Sequence, residues 1–167
     1  MNKYGLFNLI MCAAVCTAVA QTSVRLDITA GSAALKGQAL AAILVTDVKD
    51  LDTYSFDVVY DTAAWTVRYA GIDAPAMNVT NCIKDMGGSL LPVIKKDPGT
   101  VHISATVPGS DPIGTIKGPC ALGVLLFAPR IASPVSPFIL TNVTLLDTGR
   151  NRISVIVRNP APVQDGK

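Results

Sequence analysis

Apolar stretches of strand length recur along this chain between clusters of Gly, Pro, Asp and Asn, and the sequence from residue 21 onward lacks the 3.6-residue period of a helix. Val24, Leu26 and Ile28 alternate with Arg25, Asp27 and Thr29, and Gly31 closes that run. Residues 39–48 are apolar on both faces, as a central strand of two packed sheets must be. In Tyr54-Ser55-Phe56-Asp57-Val58-Val59-Tyr60 the period is two: Tyr54, Phe56, Val58 and Tyr60 share the inward face, and Thr53, Ser55, Asp57 and Val59 the outward one. Further strands are expected over residues 65–70, 100–107, 120–127, 138–146 and 152–157, with Asp147-Thr148-Gly149-Arg150-Asn151 as the last hairpin turn. Residues 71–99, with Pro75, Gly87-Gly88, Pro92 and Asp97-Pro98-Gly99, are the least regular, and a short helix or an extra hairpin fits inside them.

The acidic side of the composition agrees. All twelve acids are Asp, and Glu, the better helix former, is absent. Half the residues are hydrophobic and 16% are charged, enough to bury one core in a chain of 167 residues. The expectation is one all-β domain, a sandwich of eight or nine strands. The net charge of +2 is spread singly apart from Lys95-Lys96, without the basic face that nucleic-acid binding needs.

The first twenty residues read as a secretory signal peptide: Lys3, an apolar run over residues 5–17, and Ala18-Val19-Ala20 before Gln21. Cys12 and Cys16 lie in that run, but Met11 and Val15 precede them where lipidation favours a small residue. The run is shorter than the ~20 residues of a membrane span, so no membrane insertion is expected once it is cleaved. Residues 21–159 then form the domain and 160–167 a short tail. In an oxidising compartment, the remaining cysteines, Cys82 and Cys120, are expected to form a disulfide. It closes a loop of about forty residues, for roughly 3–4 kcal/mol by chain entropy. Two cysteines and a single His do not supply the four ligands of structural zinc, so no metal site is assigned.

Three segments carry a family resemblance. Tyr54 to Asp61, followed by an apolar stretch ending Tyr69-Ala70-Gly71-Ile72, resembles the central signature of cohesin domains. Pro98-Gly99-Thr100-Val101-His102-Ile103-Ser104-Ala105 is similar to a later strand of that family, and Leu140 to Asp147 to its penultimate strand. The three fall in the family's order and span nearly all of the chain beyond residue 20. The resemblance implies a nine-stranded jelly-roll β-sandwich, not an enzyme, that binds a dockerin-type protein partner and is linked to polysaccharide binding or degradation. The signal peptide places the module outside the cell or on its surface, and a monomer without cofactor is expected. On the family's docking face the outward positions of the central strand are here Thr53, Ser55 and Asp57. Well-studied cohesins carry Asn and Asp where this chain has Thr53 and Ser55, so a charge is missing.

Other chemistry is weaker. His102 and Ser104 share a strand face, and with Asp57 they would make a hydrolase triad, but no Gly-x-Ser-x-Gly elbow accompanies them. A glycoside hydrolase would have to use Asp for both its acids, and no motif marks such a pair. Asp47, Asp50 and Asp52 offer oxygens to calcium at a spacing unlike an EF-hand, and Asp is routine in turns. As an alternative, Trp65 and Tyr69 offer rings to stack on sugar, making the chain a direct carbohydrate-binding module. A third reading is a structural cell-surface domain.

Overall fold

The computed structural model describes residues 21–30, 37–109, 113–132, 134 and 137–160. The expected signal peptide (residues 1–20) lies outside them, as does the tail from residue 161 on. The strands in chain order are β1 (Ser23–Ala30), β2 (Ala39–Thr46), β3 (Val48–Lys49), β4 (Leu51–Val59), β5 (Trp65–Gly71), β6 (Leu91–Asp97), β7 (Thr100–Thr106), β8 (Thr115–Ile116), β9 (Cys120–Pro129), β10 (Ile139–Asp147) and β11 (Ile156–Arg158). A five-stranded sheet in the order β11-β1-β2-β9-β5 faces a four-stranded sheet in the order β10-β4-β7-β6, while β3 and β8 pair apart as a small ribbon. The two sheets hold nine strands, as expected, and the architecture is a β-sandwich.

Between the sheets the period-2 pattern supplies the core. Tyr54, Phe56 and Val58 of β4 and Val101 and Ile103 of β7 meet Ile43, Leu122, Leu125 and Phe127 from the opposite sheet. Gly123 makes room for Phe56 from the opposite sheet, since a Cβ there would lie 2.7 Å from that ring. One end of the core is aromatic: Trp65 packs on Phe138 at 5.1 Å, Phe138 on Phe127 at 4.5 Å and Tyr60 on Phe127 at 5.2 Å.

Two expectations change. The last strand is three residues long rather than six, because among the described residues the hairpin after β10 has a single isolated bridge, Leu146 with Arg152, beside bonds from Asp147 N–H to the Asn151 carbonyl and from Ile153 N–H to the Leu145 carbonyl. Ile153 and Val155 then pack toward the core, and the chain crosses to pair β11 parallel with β1. The irregular segment after β5 holds a 3-10 turn at Pro75–Met77, helix α1 (Cys82–Asp85) and the whole of β6. Both the short helix and the extra hairpin are therefore present. Pro92, Lys95 and Lys96 hid the strand, and all three suit a sheet edge, where β6 lies.

Candidate functional site

The outer face of the four-stranded sheet is a grid fixed by register. Directly paired residues of antiparallel strands point to one side. From β10 through β4 and β7 to β6, one row is Ile139, Val59, Thr100 and Asp97, and the next is Thr141, Asp57, His102 and Lys95. The third row is Thr144, Ser55, Ser104 and Val93, and the fourth Leu146, Thr53, Thr106 and Leu91. Thr53, Ser55 and Asp57 thus stand together on this face, in three consecutive rows. Hydroxyls fill its centre, while apolar side chains open to solvent sit at two diagonal corners: Ile139 with Val59, and Leu91 with Val93, the last two each 62% exposed.

Asp57 is held from both sides. Its Oδ1 lies 2.6 Å from Nδ1 of His102, and its Oδ2 accepts from Nδ2 of Asn142 at 2.6 Å. Asn142 reaches it because the register of β10 shifts between Thr141 and Thr144, with Asn142 itself in the left-handed region at φ 52°. Asn tolerates that conformation better than most residues. On the far side of His102, Lys95 bonds Asp97 at 2.9 Å, and that bond holds its ammonium above the ordinary value. Lys95 and Asn142 belong to this face although the sequence reading did not pick them out. A signal for Asn142 was available: the buried positions of β10 are Leu140, Val143 and Leu145, and the step of three breaks the period of two.

Trp65, Tyr69 and the three Asp residues weighed for calcium are not brought to this face. Trp65 is 5% exposed in the core. Tyr69 is 37% exposed, yet its hydroxyl donates to the Asp73 carbonyl and its ring lies over Gly71, where a Cβ would come within 2.9 Å of three of its atoms. A flat aromatic platform is therefore not what these two build. Ser104 neighbours His102 along β7, but among the described residues no hydrogen bond joins it to the imidazole. Asp47 and Asp50 sit in left-handed turn positions at φ 56° and 52°. Asp52 is buried, accepting from the Thr53 hydroxyl at 2.8 Å and paired with Arg150 at 3.4 Å. Among the described residues no group of three or more His, Cys, Asp or Glu is placed to hold a metal, and no helix is long and apolar enough to cross a membrane.

Cys82 and Cys120 form a disulfide with Cα atoms 5.5 Å apart, tying α1 to the start of β9 beside an open groove of about 450 Å³. The residue next to Cys82 does as much. Asn81 caps α1 by accepting from Ile83 N–H at 3.0 Å, and its buried amide donates to Tyr54 Oη, the Leu122 carbonyl and the Ile72 carbonyl at 3.1, 3.1 and 3.3 Å. The Tyr54 hydroxyl completes the network by donating to the same Leu122 carbonyl at 2.8 Å. Burial pushes the Tyr54 phenol well above its ordinary range, against the smaller opposing effect of the Asn81 bond.

No family profile matches the chain, and no curated protein matches it in sequence. Solved structures do match in fold. The non-cellulosomal cohesin of the hyperthermophilic archaeon Archaeoglobus fulgidus superposes with a TM-score of 0.58 over 84% of this chain and 88% of its own, at 13% identity. The second type II cohesin module of an adaptor scaffoldin of Acetivibrio cellulolyticus gives 0.61 over 89% and 93%, at 14% identity. The sixth cohesin of scaffoldin B from the same organism, solved in complex with a dockerin, gives 0.60 over 84% and 96%, at 13% identity. The chain thus has a cohesin-like β-sandwich fold.

Proposed function

We propose that this chain is an exported protein-recognition module that receives a helical, dockerin-type partner on the outer face of its four-stranded sheet and performs no chemistry on it. The observation that carries this reading is the grid itself: a hydroxyl-rich centre crossed by the row of Asp57, His102 and Lys95, with solvent-exposed apolar corners. The two corners lie about 20 Å apart by strand spacing and rise, which a helix of about 13 residues spans. That arrangement matches helix-in-sheet recognition, where apolar anchors give affinity and polar contacts give register. Modules of the same fold have been solved bound to dockerins, which supports the choice of partner. A link to polysaccharide degradation follows if the partner is borne by an enzyme of that kind. Direct sugar binding through Trp65 and Tyr69 is the weaker reading, since one ring is in the core and the other is pinned to the sheet.

The test is titration calorimetry of the protein against a panel of purified dockerin modules, with insoluble cellulose in parallel. Micromolar or tighter binding to a dockerin that Ser55→Arg abolishes supports the reading. Retention on cellulose with no dockerin bound would sink it. Export is checked by N-terminal sequencing of the mature protein, which is expected to begin at Gln21.

A further inference from the structure

Resting on that docking face, we propose that Nε2 of His102 is its polar specificity anchor, an oriented hydrogen-bond acceptor that selects a partner presenting a donor, and that acidification therefore releases the partner. An ionised carboxylate can only accept. The 2.6 Å contact with Asp57 Oδ1 accordingly assigns the imidazole proton to Nδ1 and leaves Nε2 as the lone-pair nitrogen. Asn142 holds the other carboxylate oxygen, so Asp57 cannot swing away without losing both bonds. Asp57 itself offers a partner little surface, its side chain being 16% exposed; the His102 side chain is 40% exposed.

Position adds to the case. The diagonal joining the two apolar corners passes over His102 and Ser104, so a helix anchored at both corners lies on the imidazole. Ser and Thr hydroxyls elsewhere in the grid donate or accept as needed. Nε2, by contrast, has its role set in advance at the centre of the face, and a fixed acceptor rejects a partner that offers another acceptor there. Protonation turns this acceptor into a donor. The charged groups facing the ring are Asp57 from β4 and Lys95 with Asp97 from β6, while β10 contributes only the neutral Asn142. Asp57 and Asn142 are positioning residues in this scheme.

The protein contains one histidine, which makes the measurement clean. Nitrogen-15 NMR of the free protein at pH 8 is expected to show the Nδ1–H tautomer; an Nε2–H tautomer would overturn the proposal before any partner is added. Titration with the dockerin module that binds most tightly is then run at pH 8 and pH 5.5 on the wild type and on His102→Gln. About tenfold weaker binding at pH 5.5 is expected for the wild type, with the pH dependence gone in H102Q. Equal affinities for both proteins at both pH values overturn the anchor while leaving the docking face standing. Failure of every dockerin to bind the wild type overturns the docking face and the anchor with it.

Discussion

The two regions that meet at β4 are held by different means. On its outward side, strand register places Thr53, Ser55 and Asp57 in one group, and a change at Ser55 alters what the surface offers more than how firmly the protein folds. On its inward side, Tyr54 is tied to Asn81 and to the Leu122 carbonyl, and through them to the segment that closes the flank between β5 and β6. That flank has few buried apolar side chains of its own, Ile72, Ala74 and Ile83 among them. It relies instead on one amide, one phenol and one disulfide. The contrast separates a surface free to vary in recognition from a closure that fails if one polar partner is lost.

The largest effect is expected from opening the disulfide. Cys82→Ser with Cys120→Ser should lower unfolding free energy by about 3 kcal/mol in urea titration, since the denatured chain regains a loop of 38 residues' separation. A loss below about 1 kcal/mol would show that the flank holds without its covalent tie. Next comes Asn81→Ala, which strands the Ile72 carbonyl and removes the helix cap. A cost of about 2–3 kcal/mol is expected, with faster amide exchange confined first to residues 72–90. Uniform acceleration across both sheets would instead make Asn81 part of the global core. Gly123→Ala should cost about 1–3 kcal/mol, because its methyl would meet the buried ring of Phe56.

Alkali probes the same closure without mutation. The folded phenol of Tyr54 binds its proton more tightly than the unfolded one, whose ordinary value is 10.0. Its contribution is therefore complete below about pH 10 and is lost as pH rises beyond it. Urea midpoints measured from pH 8 to 11 should fall above 10 in the wild type. In Tyr54→Phe, already weakened at every pH by the loss of its bond to the Leu122 carbonyl, the decline should be shallower. Parallel declines would assign the alkaline loss to other groups.

What could be read from the sequence follows the same division. The facing of β4, the two-sided apolar character of β2 and the grouping of Thr53, Ser55 and Asp57 all follow from a period of two, which is a local property. The pairing that sets His102 against Asp57 joins residues 45 apart in sequence. Period alone says only that each points outward. Asn81 was invisible for a stronger reason: its partners lie 27 and 41 residues away, and one of them is a main-chain carbonyl that carries no sequence signal. Trp65 was open to two readings because a residue at the start of an edge strand can face either way, and the aromatic cluster with Phe138 and Phe127 decides it.

The smallest expected effect on folding is the most informative about function. Ser55→Arg replaces a half-buried hydroxyl whose cross-strand neighbours, Ser104 and Thr144, are small and polar. A long side chain at such a site can extend over the face, so the change in stability should stay within about 0.5 kcal/mol. The same side chain rises from the middle of the grid, between the two apolar corners, and holds a partner helix off both. Thermal melting should therefore be nearly unchanged while dockerin capture is lost. Asp57→Lys is the less clean test, because it breaks the bonds to His102 and Asn142 and so mixes folding with recognition. If Ser55→Arg melts several degrees low, the outward side of β4 is bound to the fold as its inward side is, and the division between the two regions fails.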